Sequence, residues 1–392
     1  MNWLSEWLGT VVDFAWGMPL VILLMGGGFY WALVSRFVPL LGFVHAIKLV
    51  TGKIHTEGEE RSKGQISHFR ALTNALASTV GMGNIAGVAV AITQGGPGAI
   101  FWMWVAALFG MNTKFFECAL AIKYRGKDYT GEVQGGPMYV INTALGKKWK
   151  PLAYLFAFFG MMGTLPLFNM NQLSSYAASE FGASPMLLGL ICAAIIGWIL
   201  TGGVRSIGAV TSKIVPMMCL IYVITAAVIV FRNAERVPEV FNMIFEYAFT
   251  GMAAWGGVTG LAVREILVVG MKRAAFSNEA GVGTAPMAHS NAKTEEPIAE
   301  GLVAMLGPFI DTIVVCTLTA LVILTTIPYE AIPQGAEGVL VTKLAFERNF
   351  GDFGTYFLGI SVLLFAFSTL LGAANYCQKC WNFLFKGRRR LG

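Results

Sequence analysis

Nine stretches of this 392-residue chain are long and apolar enough to cross a lipid bilayer, and they limit the possible fold more than anything else in it. They fall at approximately 17–42, 69–94, 98–122, 151–178, 185–203, 211–231, 249–271, 300–327 and 354–377. A span needs about 20 predominantly apolar residues to cover roughly 30 Å of hydrocarbon. Water is absent there, so each segment must satisfy its own backbone polar groups, which calls for helices. Only 13% of the residues are charged, against about 25% in soluble domains. A chain this poor in charge cannot clothe a globular surface. The expectation is an all-α integral membrane protein, a single domain over residues 1–392.

Charge gives the orientation. With the N-terminus outside, the inner segments at about 43–70, 114–150, 204–213, 264–299 and beyond 377 hold 23 Lys and Arg. The outer connections hold 4, namely Arg232, Arg236, Lys343 and Arg348. That asymmetry predicts N-terminus out, C-terminus cytoplasmic, in a cell (inner or plasma) membrane. The net charge of +6 is therefore topological, and no nucleic-acid partner is expected. The six cysteines form no secreted disulfide pattern, and Cys377 and Cys380 lack the partner pair a metal site needs. Residues 1–17 have no basic n-region and are interrupted by Glu6 and Asp13, so no cleavable signal is expected and the first apolar helix is expected to serve as its own insertion signal. Residues 329–353 form the longest outer loop, polar enough for a lid or a partial helix.

Two spans are interrupted by glycine. Thr79-Val80-Gly81-Met82-Gly83-Asn84-Ile85-Ala86-Gly87 places three glycines in seven residues, each costing about 1 kcal/mol in a helix interior. Local unwinding there exposes carbonyls to a cation and N–H groups to an anion. Trp255-Gly256-Gly257-Val258-Thr259-Gly260 lies five spans later and reads as the first member of an inverted copy. Close helix packing through small residues is the other explanation for either stretch. Ser368 and Thr369 bring two hydroxyls into an apolar helix, either as cation ligands or as back-bonded groups. Asn169 and Gln172 share a helix face. Glu117 and Asp311 are candidate proton relays, or members of a structural pair or cap, with Lys114 three residues from Glu117. His289 is expected in a polar inner loop. No P-loop, H-E-x-x-H, G-x-S-x-G or metal-spaced Cys/His cluster occurs, so neither a pump nor an enzyme is indicated.

At these residues the chain resembles the alanine or glycine:cation symporter family. The resemblance is carried by GMGNIAGVAVAITQGGPGAIFWMWVAALFGMNTKFFECALAIKYR at 81–125 and by Phe276-Ser277-Asn278-Glu279-Ala280-Gly281, continuing through GVGTAPMAHSNAKTEEP. PFIDTIVVCTLTALVIL at 308–324 and FAFSTLLG at 365–372 add to it. It implies the leucine-transporter-type fold, two inverted five-helix repeats with one extra leading helix (17–42). The first repeat falls at 69–231 and an incomplete second at 249–377. It implies sodium as the co-transported ion and alanine, glycine or similar small amino acids as substrate, with proton coupling in some members. By position, Gly81, Gly83 and Asn84 would hold the amino acid's carboxylate and amine. Asn169 and Gln172, with Gly257, Val258 and Thr259, would line its pocket. Carbonyls near Thr79 and Val80 would hold sodium together with Ser368 and Thr369; no other metal is implied.

The chain departs from the family pattern in three places. Val258 and Thr259 stand where Phe and Ala are frequent. Gly372-Ala373-Ala374-Asn375-Tyr376-Cys377-Gln378 replaces a segment usually aromatic-rich with a Gly-Glu. Two expected spans after residue 377 are missing, which reads as truncation before the last two core helices. The expected function is sodium-coupled import of a small neutral amino acid by alternating access. A proton-coupled transporter and a non-transporting membrane interaction protein are the alternatives.

Overall fold

The computed structural model describes residues 2–54, 64–128, 131–250, 259–333 and 338–385. Two helices lead, α1 (Asn2–Ala15) and α2 (Met18–Val34), followed by the short α3 (Val38–Leu41) and α4 (Phe43–Val50). α5 (His68–Thr79) and α6 (Val88–Gly95) are the halves of one broken crossing, bent by 53° and joined through a π-helical turn at Gly83–Gly87. α7 (Gly98–Lys123) returns to the Lys/Arg-rich side, here called inner. A two-residue hairpin, β1 (Gly126–Lys127) with β2 (Val133–Gln134), and α8 (Pro137–Ala144) lie there.

α9 (Lys150–Gly163) and α10 (Leu167–Phe181) make one crossing, interrupted at Thr164–Pro166. α11 (Pro185–Thr201) and α12 (Gly203–Arg232) form the next pair, followed by α13 (Val237–Thr250) on the outer side. α14 (Thr259–Asn278) and α15 (Ala285–His289) come next. α16 (Pro297–Pro308) and α17 (Thr317–Thr326) flank a second π-helical stretch, Phe309–Cys316. α18 (Val339–Phe350) and the long α19 (Asp352–Phe385) complete the described chain.

Local chemistry sets these boundaries. Ser67 caps α5 by accepting from the Arg70 N–H, and Ser184 caps α11 by accepting from Leu187, with Pro185 in the first turn. Pro308 carries no N–H, and the wide turns begin directly after it.

Six described helices are long and apolar enough to cross a membrane, seven with the bent pair. Burial sorts them. The most apolar windows of Pro297–Thr326 and Asp352–Phe385 are each 61% buried, while that of Ser5–Val34 is 6% buried. The first two are therefore the bundle's centre and the leading helix is peripheral. Its apolar stretch begins near Ser5 rather than at 17. The expected outer lid contains α18, which packs on the first break: Thr342 Oγ1 donates to the Ile85 carbonyl at 3.1 Å.

The seventh span shifts more. Val269 and Gly270 lie against Gly95 and Ala99, at the outer end of the bundle, and Arg273 donates to Gln94 at 3.2 Å. α14 therefore reaches mid-bundle only at Ser277–Asn278. Arg264, Lys272 and Arg273 sit in the outer half, not the inner loop, and the inner excess of Lys and Arg keeps its sign.

Candidate functional site

Two chain breaks meet at the centre. In the first, Val80 leaves helical geometry (φ −77°, ψ 95°), and the next residues are fully buried. The break is held by side chains acting as backbone partners. Asn84 Oδ1 accepts from the Gly81 N–H at 2.8 Å, and Asn169 Oδ1 accepts from the Met82 N–H at 3.3 Å. Glycine is required by close approach: a Cβ on Gly81 would fall 1.9 Å from Thr369 Oγ1, and one on Gly83 would meet Ser277 Cα at 3.3 Å.

That second contact brings in the second break. α14 ends at Asn278, and α15 begins at Ala285. Between them Glu279 adopts φ 55°, an uncommon conformation for a residue with a side chain. Its carboxylate accepts from Thr284 Oγ1 at 2.5 Å and Ser78 Oγ at 3.5 Å, and Ser78 also donates to Tyr376 Oη at 2.9 Å. These groups join α5, the second break and α19 on the inner side of a cavity of about 200 Å³. Thr79, Gly83, Asn169, Phe276, Glu279 and Thr369 line it. Phe168 and Phe276 meet edge-to-face across it, centroids 5.2 Å apart.

Above the break the packing is buried and polar. Asp311 is fully buried in the second π-helical stretch. Its Oδ1 accepts from Asn84 Nδ2 at 2.8 Å and Ser277 Oγ at 3.1 Å, and its Oδ2 accepts from Thr312 Oγ1 at 2.7 Å. All three donors are neutral. A buried carboxylate in such a setting is costly unless a proton or a cation offsets its charge.

On α19, Ser368 and Thr369 back-bond to the Phe365 carbonyl at 2.9 and 3.0 Å. This engages their hydroxyl hydrogens and leaves the oxygen lone pairs able to accept. Ser368 Oγ lies 3.5 Å from the Val80 carbonyl. Two hydroxyls and the carbonyl end of α5 thus form an uncharged, oxygen-only locus of the kind hard monovalent ions take.

Deeper on the inner side, Glu300 takes His68 Nδ1 and His289 Nδ1 on its two oxygens, each at 2.5 Å. His289 is 1% exposed, so of its two readings, solvated or structural, the structural one holds. Arg125 clamps the same region, donating to the carbonyls of Thr294 at 2.8 Å and Ala292 at 2.5 Å. Burial lowers the Arg125 guanidinium from its ordinary value, and Glu300 and Glu295 oppose that shift.

The sodium:alanine symporter family model matches residues 1–391. The chain belongs to the sodium:alanine symporter family. Among relatives, the sodium/alanine symporter AgcS of Methanococcus maripaludis is 42% identical over 384 residues, 96% of this chain and 83% of that protein. The probable sodium/glutamine symporter GlnT of Bacillus subtilis is 36% identical over 389 residues, 98% of this chain and 79% of that protein. Among solved structures, MhsT in complex with L-phenylalanine aligns with a TM-score of 0.53 at 16% identity, covering 82% of this chain and 73% of MhsT. The fold is therefore the leucine-transporter type, and the family is one of membrane transporters, not enzymes.

Within this sodium:alanine symporter family member, the predicted residues fall into three groups. Thr79, Val80, Gly81, Gly83, Asn84, Asn169, Ser368 and Thr369 converge on the first break. Gln172 lies further out, where its Oε1 accepts from the Val339 N–H at 3.2 Å and anchors the start of α18. Thr259 opens α14 at its outer end, and Gly257 and Val258 lie outside the described residues. Of the relay candidates, Asp311 joins the site through Asn84, whereas Glu117 lies on α7 with its Oε2 buried and unpartnered among the described residues.

Sequence reasoning missed Ser277, Glu279 and Thr284. Their motif carries the family resemblance, but the Lys and Arg around it assign it to an inner loop. The signal was present in Asn278-Glu279-Ala280-Gly281-Val282-Gly283, where Gly281 and Gly283 have φ 82° and 85°.

Proposed function

We propose that this transporter imports a small neutral amino acid, alanine or glycine, together with sodium by alternating access. The observation that carries this reading is the double use of the first break. Its N–H groups at Gly81 and Met82 are held by neutral amide oxygens, which a substrate carboxylate can replace at Met82 when Asn169 turns away. Its carbonyl end faces Ser368 and Thr369, where sodium takes its oxygen ligands. Sodium there orders the break, and the ordered break presents the N–H groups, so each ligand favours the state that binds the other. The 200 Å³ cavity and the edge-to-face Phe168–Phe276 pair suit a small side chain. AgcS, with 42% identity, bears the name of a sodium/alanine symporter, which agrees with this choice.

The test is uptake of radiolabelled alanine, glycine and glutamine by liposomes holding the purified chain, in sodium and in potassium. Alanine uptake that requires inward sodium supports the reading; equal uptake in both salts overturns it. Asp311 favours one second reading, since a carboxylate ringed by neutral donors also suits a proton. Uptake that follows a pH gradient and ignores sodium selects it.

A further inference from the structure

The inner half of α19 has two faces. Tyr376 and Ala373 line the transport cavity. Asn375 and Lys379 line a different cavity of about 290 Å³. At about 100° per residue the two sets centre about 110° apart around the helix, on adjoining faces, and the helix runs between the cavities. The hairpin β1–β2 and the turn after α11 supply the other walls, with Asp128, Glu132, Gln134 and Thr201.

The lining holds both charge signs and both hydrogen-bonding polarities. Lys379 is 5% exposed and donates to the Met287 carbonyl at 2.6 Å, leaving two further N–H groups. Asn375 is 1% exposed, and its Nδ2 has no partner among the described residues. Gln134 is 6% exposed; its Nε2 donates to Asp128 Oδ2 at 3.2 Å, and its Oε1 has no partner among the described residues. Buried polar atoms are nearly always paired, so a lone donor and a lone acceptor on two residues that line one cavity point to a ligand that completes both once the amides turn toward it. A metal cation is disfavoured by Lys379 and the Asn375 donor. An anion is disfavoured by Asp128 and Glu132. A zwitterion satisfies every group, its ammonium toward Asp128, Glu132 and Gln134 Oε1, its carboxylate toward Asn375 Nδ2 and Lys379.

We propose that this cavity is a second, sodium-independent site for a free α-amino acid, entered from the inner side. Its occupant touches the helix that carries Ser368 and Thr369, so amino acid accumulated inside acts back on the transport site. The cavity shares no lining residue with the transport cavity and stands apart from the sodium reading.

The test is equilibrium binding of radiolabelled L-alanine and glycine to the full chain in detergent, with and without sodium. Wild type is expected to show a sodium-dependent and a sodium-independent class. Gly81→Leu keeps only the second. Asn375→Asp, which sets a carboxylate against the ligand's own, and Gln134→Leu each weaken the second class at least tenfold and keep the first. Elution profile and thermal transition check folding, and either variant alone decides if the other aggregates. A wild type without sodium-independent binding, or folded Asn375→Asp and Gln134→Leu that retain it unchanged, means the cavity holds water only and overturns the proposal. Loss of the sodium-dependent class alone counts against the transport reading and leaves this one intact.

Discussion

Asn84 Nδ2 reaches the Asp311 carboxylate at 2.8 Å and the Asp311 carbonyl at 3.0 Å, while Asn84 Oδ1 holds the Gly81 N–H at 2.8 Å. One amide thus ties the broken helix to the buried charge of a neighbour 227 positions away. Asp311→Asn keeps the volume and removes the charge. Uptake is expected to fall at least tenfold and to lose its steep dependence on sodium. A variant whose sodium titration overlays the wild type would show that the carboxylate takes no part in coupling.

Gly81→Ala drives a methyl into Thr369 Oγ1 at 1.9 Å, so the hydroxyl must swing off its bond to the Phe365 carbonyl or the two helices must part. Overpacking of this kind costs about 1–3 kcal/mol. Adding Thr369→Ala removes the clashing oxygen, so the double variant should regain most of the thermal stability in detergent. It should not regain uptake, because the proposed cation ligand is lost with the clash. Independent additive effects on stability would contradict the contact.

Ser368→Ala deletes one oxygen facing the Val80 carbonyl while leaving the helix intact. The sodium concentration for half-maximal uptake should rise about tenfold, roughly 1.4 kcal/mol, with little change in maximal rate at saturating sodium. A lower maximal rate at unchanged sodium affinity points to packing alone.

Glu300→Gln breaks a buried network in which one carboxylate serves His68 and His289. Removing one partner from a buried ionic group costs about 3–5 kcal/mol. A clear fall in the midpoint of thermal unfolding in detergent is expected, larger than for Ser368→Ala. Glu300→Gln melting with the wild type would show that the network contributes no net stability.

The first break was legible because three glycines in an apolar span have no comfortable helical reading, and the hydroxyls of Ser368 and Thr369 stood out against Phe and Leu. The second break was not. Asn278 and Glu279 look like loop residues in a sequence, yet they are buried by a bundle whose neighbours the sequence cannot name. The glycines of 256–260 offered a more obvious pattern and drew the boundary of α14 inward by several residues. α13 was not expected, and α18 only as a lid or a partial helix, because segments of 12 to 14 residues are too short to register as spans. Asp311 was found as a lone charge, but its partners come from helices far apart in sequence, and no spacing rule connects them.

α19 is a single helix of 34 residues, about 51 Å at 1.5 Å per residue. A rod of that length is a lever arm. Pivoting by about 5° around its middle displaces each end by about 2 Å, enough to open or close a hydrogen bond of the kind that holds each end. Ser368 and Thr369 lie near the fulcrum, where motion is least, and Asn375 and Lys379 lie further along the inner arm. The proposed ion locus is thus sited where the geometry changes slowly with tilt, and the inner cavity where it changes fast.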